Sequence, residues 1–164
     1  MSEDQITSNA IESTQTAVAD APIEQVAPIA EPVKPRNGFW WGTGRRKTAV
    51  ARVRIRAGKG AFLINGRQVD VHFTEMRDRN DVTAPLAVTK TEGSLDVFVK
   101  VHGGGFTGQA GAVQLGLARA LKGYDATLEP ILRDNEMLTR DDRKVERKKP
   151  GQPGARKRFQ FSKR

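Results

Sequence analysis

Apolar residues alternate with arginines along Ala49-Val50-Ala51-Arg52-Val53-Arg54-Ile55-Arg56, a period of two that predicts a β-strand. Val53 and Ile55 fall on one face of that strand, and Arg52, Arg54 and Arg56 on the other. Gly58 and Gly60 predict a turn, Ala61 to Ile64 a short second strand, and Asn65-Gly66 a tight turn. Val69, Phe73 and Met76 fit a helix face, although Val69, Val71 and Phe73 also alternate; the reading taken is a short helix after a turn. Thr83-Ala84-Pro85 predicts a helix start with proline in its first turn. Leu95-Asp96-Val97-Phe98-Val99-Lys100-Val101 is the clearest strand, and Gly103-Gly104-Gly105 ends it. Val113, Leu117 and Leu121 recur at i, i+4 and i+8, which predicts a helix from Gln109 to Leu121 closed by Gly123. A shorter helix from Thr127 to Glu136 centres on Ile131 and Leu132. Strand, strand, helix, strand, helix, helix is the order of an α+β two-layer sandwich, a small mixed sheet with helices on one face.

Charge decides which face of that sheet is covered. Burying three unpaired guanidiniums is prohibitive, so the face with Arg52, Arg54 and Arg56 must meet water or phosphate. Arg45, Arg46, Lys47, Arg52, Arg54, Arg56, Lys59 and Arg67 lie in a 23-residue stretch without an acid, the first three on a glycine-flanked loop. The aromatic residues Phe39, Trp40, Trp41, Phe159 and Phe161 can stack on bases. No strand carries the aromatic pattern that reads single-stranded RNA, so contacts to phosphate and shape are expected to dominate.

The whole chain carries a net +9, unevenly placed. Residues 1–33 hold six of the 19 acidic side chains and none of the 28 basic ones. The chain therefore divides into a disordered acidic extension (1–36), a globular domain (37–139) and an extended basic tail (140–164). The last eighteen residues contain eight Lys or Arg, four Gly or Pro and no acid. Such a segment cannot order itself by burial, which points to a polyanion as the partner that orders it.

The same sequence excludes several classes. There is no cysteine, hence no disulfide framework and no thiolate metal site. No apolar run reaches the roughly 18 residues of a membrane span, and the amino terminus lacks the features of a secretory or organellar leader. A cytoplasmic protein is the expectation. Gly103-Gly104-Gly105-Phe106-Thr107-Gly108 matches a dinucleotide-binding glycine pattern, with Asp125 at suitable spacing. The residues after the following helix read as a turn and another helix, whereas a dinucleotide site needs a second parallel strand there. His102-Gly103-Gly104-Gly105 resembles a hydrolase oxyanion loop, but no serine stands in the G-x-S-x-G frame. Gly42-Thr43-Gly44-Arg45-Arg46-Lys47-Thr48 fails as a phosphate-binding loop because arginine precedes the lysine. His72 and His102 lack partner ligands for a metal, and Asp141-Asp142 reads as a local ion-pair partner of Arg140 and Arg143. What survives of the glycine pattern is a helix amino terminus whose amides suit phosphate.

Several segments together resemble one family. They are Gly42-Thr43-Gly44-Arg45-Arg46-Lys47-Thr48-Ala49-Val50-Ala51-Arg52-Val53, Ile64-Asn65-Gly66-Arg67, and Gly103-Gly104-Gly105-Phe106-Thr107-Gly108-Gln109-Ala110-Gly111-Ala112. Leu138-Thr139-Arg140-Asp141, Arg147-Lys148-Lys149 and the terminal Phe161-Ser162-Lys163-Arg164 complete the pattern. Over residues 38–164 the chain resembles the bacterial form of the small-subunit ribosomal protein S9 (uS9) family. The resemblance implies a fold like that of ribosomal S5 domain 2 and no enzymatic activity, cofactor, metal or homo-oligomer. It implies binding of 16S rRNA in the head of the small subunit, beside proteins S10, S14 and S7. The residues it assigns to rRNA are Arg45, Arg46, Lys47, Arg52, Arg54, Arg56, Arg67, Gly103, Gly104, Gly105, Gly108, Gln109, Arg140, Arg147, Lys148, Lys149, Arg156, Lys157 and Arg158. It places Ser162, Lys163 and Arg164 against P-site tRNA. Pro150, Gln152 and Pro153 make the tail less basic than in many members. The alternatives are a nucleic-acid-binding protein or RNA chaperone outside the ribosome and, from another class, a nucleotide-dependent enzyme built on the glycine loop.

Overall fold

The computed structural model describes residues 34–162. The acidic residues 1–33, and with them most of the expected extension, lie outside the described residues, as do Lys163 and Arg164. The described elements are strands β1 (Trp40–Arg46), β2 (Ala49–Ala57), β3 (Phe62–Ile64), β4 (Arg67–Gln68) and β5 (Leu95–His102), and helices α1 (Val69–His72), α2 (Met76–Thr89), α3 (Phe106–Tyr124) and α4 (Glu129–Asp134). One turn of 3-10 helix, Ala126–Leu128, joins α3 to α4. The sheet order is β1-β2-β5-β3-β4. β3 runs parallel to β5 and every other pair is antiparallel. This is the expected two-layer α+β architecture with a mixed sheet.

The core lies between the sheet and the helices. β2 sends Ala49, Ala51, Val53 and Ile55 inward, and β5 sends Leu95, Val97, Val99 and Val101. They meet Val113, Leu117 and Leu121 of α3, Val82 and Leu86 of α2, and Leu132 of α4. Ile55, Val97 and Leu117 are wholly buried, and each such side chain contributes about 1.5–3 kcal/mol on leaving water.

Three local expectations are corrected. The segment read as a glycine-flanked loop is strand β1, joined to β2 by a tight turn in which Lys47 takes a left-handed conformation, φ 51°. Its glycines serve packing. A Cβ at Gly42 would lie 2.1 Å from the carbonyl oxygen of Gly116, and one at Gly44 would lie 1.9 Å from that of Ala112. Helix α3 therefore rests directly on the β1 backbone, a reason for glycine inside a strand. The helix expected to start at Thr83 starts at Met76, and Pro85 is internal to it. Asp78, Val82, Pro85, Leu86 and Thr89 form its buried stripe. An aspartate at the first core position hides the apolar period that would have marked the start. Helix α3 runs from Phe106 through Gly123 to Tyr124, and Asp125 caps it. Of the short helix expected around Val69, Phe73 and Met76, one turn is present as α1; it ends at His72, Phe73 caps it, and exposed Met76 opens α2 instead. The Asn65-Gly66 turn has φ of 51° and 80°, as a tight hairpin requires.

Candidate nucleic-acid interface

The sheet face opposite the helices carries the arginine row. In β2, Arg52 and Arg56 are exposed and Arg54 is half-buried, while their neighbours point into the core. Cross-strand register assembles this face from distant segments. Arg54 sits between Trp41 of β1 and Phe98 of β5, Arg52 between Thr43 and Lys100, and Leu63 of β3 lies beyond Phe98. Phe39 meets Phe98 edge to face at 6.2 Å. The Arg54 guanidinium stands 5.1 Å and 5.3 Å from the centroids of these two rings, and that of Arg56 stands 5.7 Å and 5.4 Å away. A depression of about 570 Å³ opens among Trp41, Arg52, Arg54, Leu63, Phe98 and Lys100.

One arginine of the row has an acid after all. Asp96 pairs with Arg56 across β2 and β5 at 3.2 Å. It also accepts from the backbone amides of Lys59 and Ala61 at 2.9 and 3.1 Å. The amides of Ala61 and Lys59, and then Arg56, hold its carboxyl below the ordinary aspartate range. Among the described residues, Arg45, Arg52, Arg54 and Lys100 have no carboxylate within ion-pair distance.

A second surface adjoins this face at one end of the sheet. A Cβ on Gly103 would lie 2.6 Å from the Thr48 carbonyl oxygen, so the glycine loop is seated on the β1–β2 turn. That contact brings exposed Lys47, Gly103, Gly104, Gly105 and the amino terminus of α3 together. Gly105 caps the helix without a side chain, and the first described bond of that turn is from Gln109 N to Gly105 O at 2.9 Å. The amides ahead of it are the kind of donor that binds phosphate. Gly108 is buried against Ala49, and the Gln109 side chain is engaged by His72 at 3.0 Å and by the Gly103 carbonyl at 3.2 Å. These two residues shape the loop from behind. After α3 comes no strand but a 3-10 turn and α4, which removes the dinucleotide reading.

The basic tail leaves from the same end. Strand alternation sends Arg45 to the open face and Arg46 toward the helices. Arg46 lies over Gly111, donates to the Thr107 carbonyl at 3.4 Å and grips Asp141 with Nε at 3.1 Å and Nη2 at 2.7 Å. Arg143 donates to the same carboxylate from its backbone amide at 3.0 Å and its side chain at 3.0 and 3.1 Å. The hydrogen bonds from Arg143, and then Arg46, push the Asp141 carboxyl far below the ordinary range and raise Arg143. Asp141 thus pairs with its neighbour, as expected from sequence, and also with a residue 95 positions away.

Beyond Arg143 the tail contains no helix or strand among the described residues. Arg140, Arg147, Lys148, Lys149, Arg156, Lys157, Arg158 and Ser162 are exposed. The tail is not fully extended: it turns at Pro150-Gly151, and Arg156 folds back onto Glu146 at 2.9 Å. That contact lowers Glu146 and raises Arg156. Arg67 lies opposite buried Ile64 on the edge strand, apart from the arginine row. Sequence reading missed Phe98, Lys100 and the exposed placement of Trp41. Alternation along Leu95–Val101 already put Phe98 and Lys100 on the side away from the core, but only strand order reveals what they face.

A family profile described as "Ribosomal protein S9/S16" matches residues 44–164. The chain is 54% identical over 121 residues to the small ribosomal subunit protein uS9 of Chlorobium limicola, spanning 74% of this chain and 94% of that protein. Against the protein of the same name from Borrelia recurrentis it is 53% identical over 123 residues, 75% of this chain and 90% of the relative. The corresponding protein of Rhodopirellula baltica is 50% identical over 128 residues, 78% and 93% of the two chains.

Proposed function

The chain belongs to the ribosomal protein S9/S16 family and is a structural component of the small ribosomal subunit, not an enzyme, and from that premise we propose that it binds 16S-type rRNA of the subunit head. The observation that carries this reading is the open sheet face, where Arg45, Arg52, Arg54 and Lys100 gather without acidic partners among the described residues. Lys47 and the amides of Gly103–Gly105 extend that surface around the end of the sheet. Arg140, Arg147, Lys148, Lys149, Lys157 and Arg158 extend it along the tail. Proteins S10, S14 and S7 are the proposed neighbours in the assembled head.

The tip of the tail, Ser162-Lys163-Arg164, contacts P-site tRNA on this reading. Its composition supports the role: two cations follow the exposed Phe161 at the end of a segment with no core to join. Deleting these three residues should leave subunit assembly intact and weaken tRNA binding at the P site. Filter binding of tRNA to reconstituted subunits measures the effect, and unchanged affinity would remove the tRNA role. A protein of the assembled particle also stays with small subunits through a high-salt wash. A loosely held chaperone is released, so sedimentation in high salt separates the two readings.

A further inference from the structure

We propose that the open sheet face contains a stacking subsite for an unpaired nucleotide, in which a base lies against Trp41 and the Arg54–Phe98 pair while adjoining phosphates meet Arg52 and Lys100. The inference deepens, and rests on, the reading of this face as an RNA contact. Trp41, Arg54, Phe98 and Leu63 occupy one row across four strands, because Trp41 pairs with Arg54, Arg54 with Phe98 and Phe98 with Leu63. Thr43, Arg52 and Lys100 form the next row on the same face. Rows on one face are two residues apart, about 7 Å along the strands. A line of ring surfaces therefore runs beside a line of cations at about the reach from a base to its own phosphate.

Trp41 is the exposed end of this row, Arg54 and Phe98 are half-buried, and the row is held in place. Trp41 is 53% exposed, and its indole Nε1 donates to the Arg36 carbonyl at 3.4 Å. Phe98 is buttressed by Phe39 and overlaid by Arg54, a guanidinium plane that itself stacks with bases. The depression between them, about 570 Å³, lies within the range of roughly 300–1,000 Å³ for small-molecule pockets.

Charge selects the occupant. Aromatic residues and arginine are common in protein–protein patches too, but lysine is depleted there, whereas this depression sets Lys100 beside Arg52 and Arg54. None of the three has a carboxylate partner among the described residues. An RNA duplex satisfies the cations but keeps its bases stacked away from the rings. An unpaired nucleotide uses both rows.

The test uses the full chain in a Trp40→Phe background. Trp40 packs edge to face on Tyr124 at 4.9 Å, and of the two tryptophans this leaves Trp41 as the reporter. Two short single-stranded RNA oligomers of equal length are compared, one with bases and one abasic. The base-bearing oligomer should quench Trp41 fluorescence and bind on the order of tenfold tighter. Trp41→Leu should bring the two affinities together without changing the salt slope. Arg52→Gln should lower the salt slope by about one and keep the ratio. Equal affinities with no quenching in the parent overturn the subsite. If Arg52→Gln then still lowers the slope, the face binds phosphate alone and the RNA-contact reading stands; if it does not, that reading falls with the subsite.

Discussion

Gly44 has no room for a side chain. A Cβ there would lie 1.9 Å from the Ala112 carbonyl oxygen and 2.4 Å from the Gly116 amide, both backbone atoms of α3. Neither atom moves without separating strand from helix, so Gly44→Ala should destabilise by about 1–3 kcal/mol or more. Gly66 is glycine for another reason. It has φ 80° in the β3–β4 turn, and nothing lies within 4 Å of its added Cβ. Gly66→Ala should cost only the left-handed backbone preference, about 1–2 kcal/mol, and Gly66→Asn less, because asparagine tolerates that region. Denaturant midpoints of the three variants check the order, and equal losses for Gly44→Ala and Gly66→Asn would contradict it. The contrast explains what a sequence reveals about a glycine. Asn65-Gly66 was legible because a tight turn is a local requirement. Gly42 and Gly44 read as loop residues because their requirement lies some seventy positions away, in the face of α3.

At the scale of elements, the decisive feature is where the tail departs. Arg46 alternates away from the open face and meets Asp141, which Arg143 also holds. Asp141→Ala should release residues 140–143 from the domain. Limited trypsin digestion should then cut sooner at Arg140 and Arg143, with the globular fragment still resistant; an unchanged cleavage order would show that the contact anchors nothing. The contact also has a pH signature. Because the folded-state carboxyl is depressed, its stabilising effect is complete above the ordinary aspartate value of about 3.9. It is lost as pH falls through the lower folded-state value. A carbon-13 NMR titration should place the Asp141 midpoint well below about 3.9, and a midpoint at or above it would contradict the geometry. Sequence pairing of Asp141 with Arg143 captured the local half of this cluster. Arg46 escaped because the segment containing it reads as a loop, and a loop has no alternating faces. The β2 and β5 strands were legible from a clean period of two. The start of α2 was not, since Asp78 stands where that period needs an apolar residue and Pro85 imitates a first-turn signal.

For the whole molecule, cations counted along the chain overstate those available to RNA. Arg46, Arg56, Arg143 and Arg156 each bond a carboxylate of the same chain, whereas Lys47 at the exposed β1–β2 turn has no such partner among the described residues. Counterion release depends only on charges that reach phosphate, and each one adds roughly 0.7–0.9 to the slope of log affinity against log salt. Engagement of six phosphates would weaken binding on the order of a thousandfold between 50 and 200 mM salt. Lys47→Gln should therefore lower the slope by nearly one unit for binding to rRNA of the subunit head. Arg46→Gln removes an equal formal charge from the adjacent position and should leave the slope nearly unchanged. Its effect should appear in the tail instead, as earlier cleavage at Arg143. Affinity measured across a salt series for both variants separates a charge that holds the protein together from one that holds RNA. Slopes lowered equally in the two variants would mean that the Arg46–Asp141 pair opens on binding and that Arg46 turns to phosphate, and a slope unchanged in both would show that Lys47 meets no phosphate.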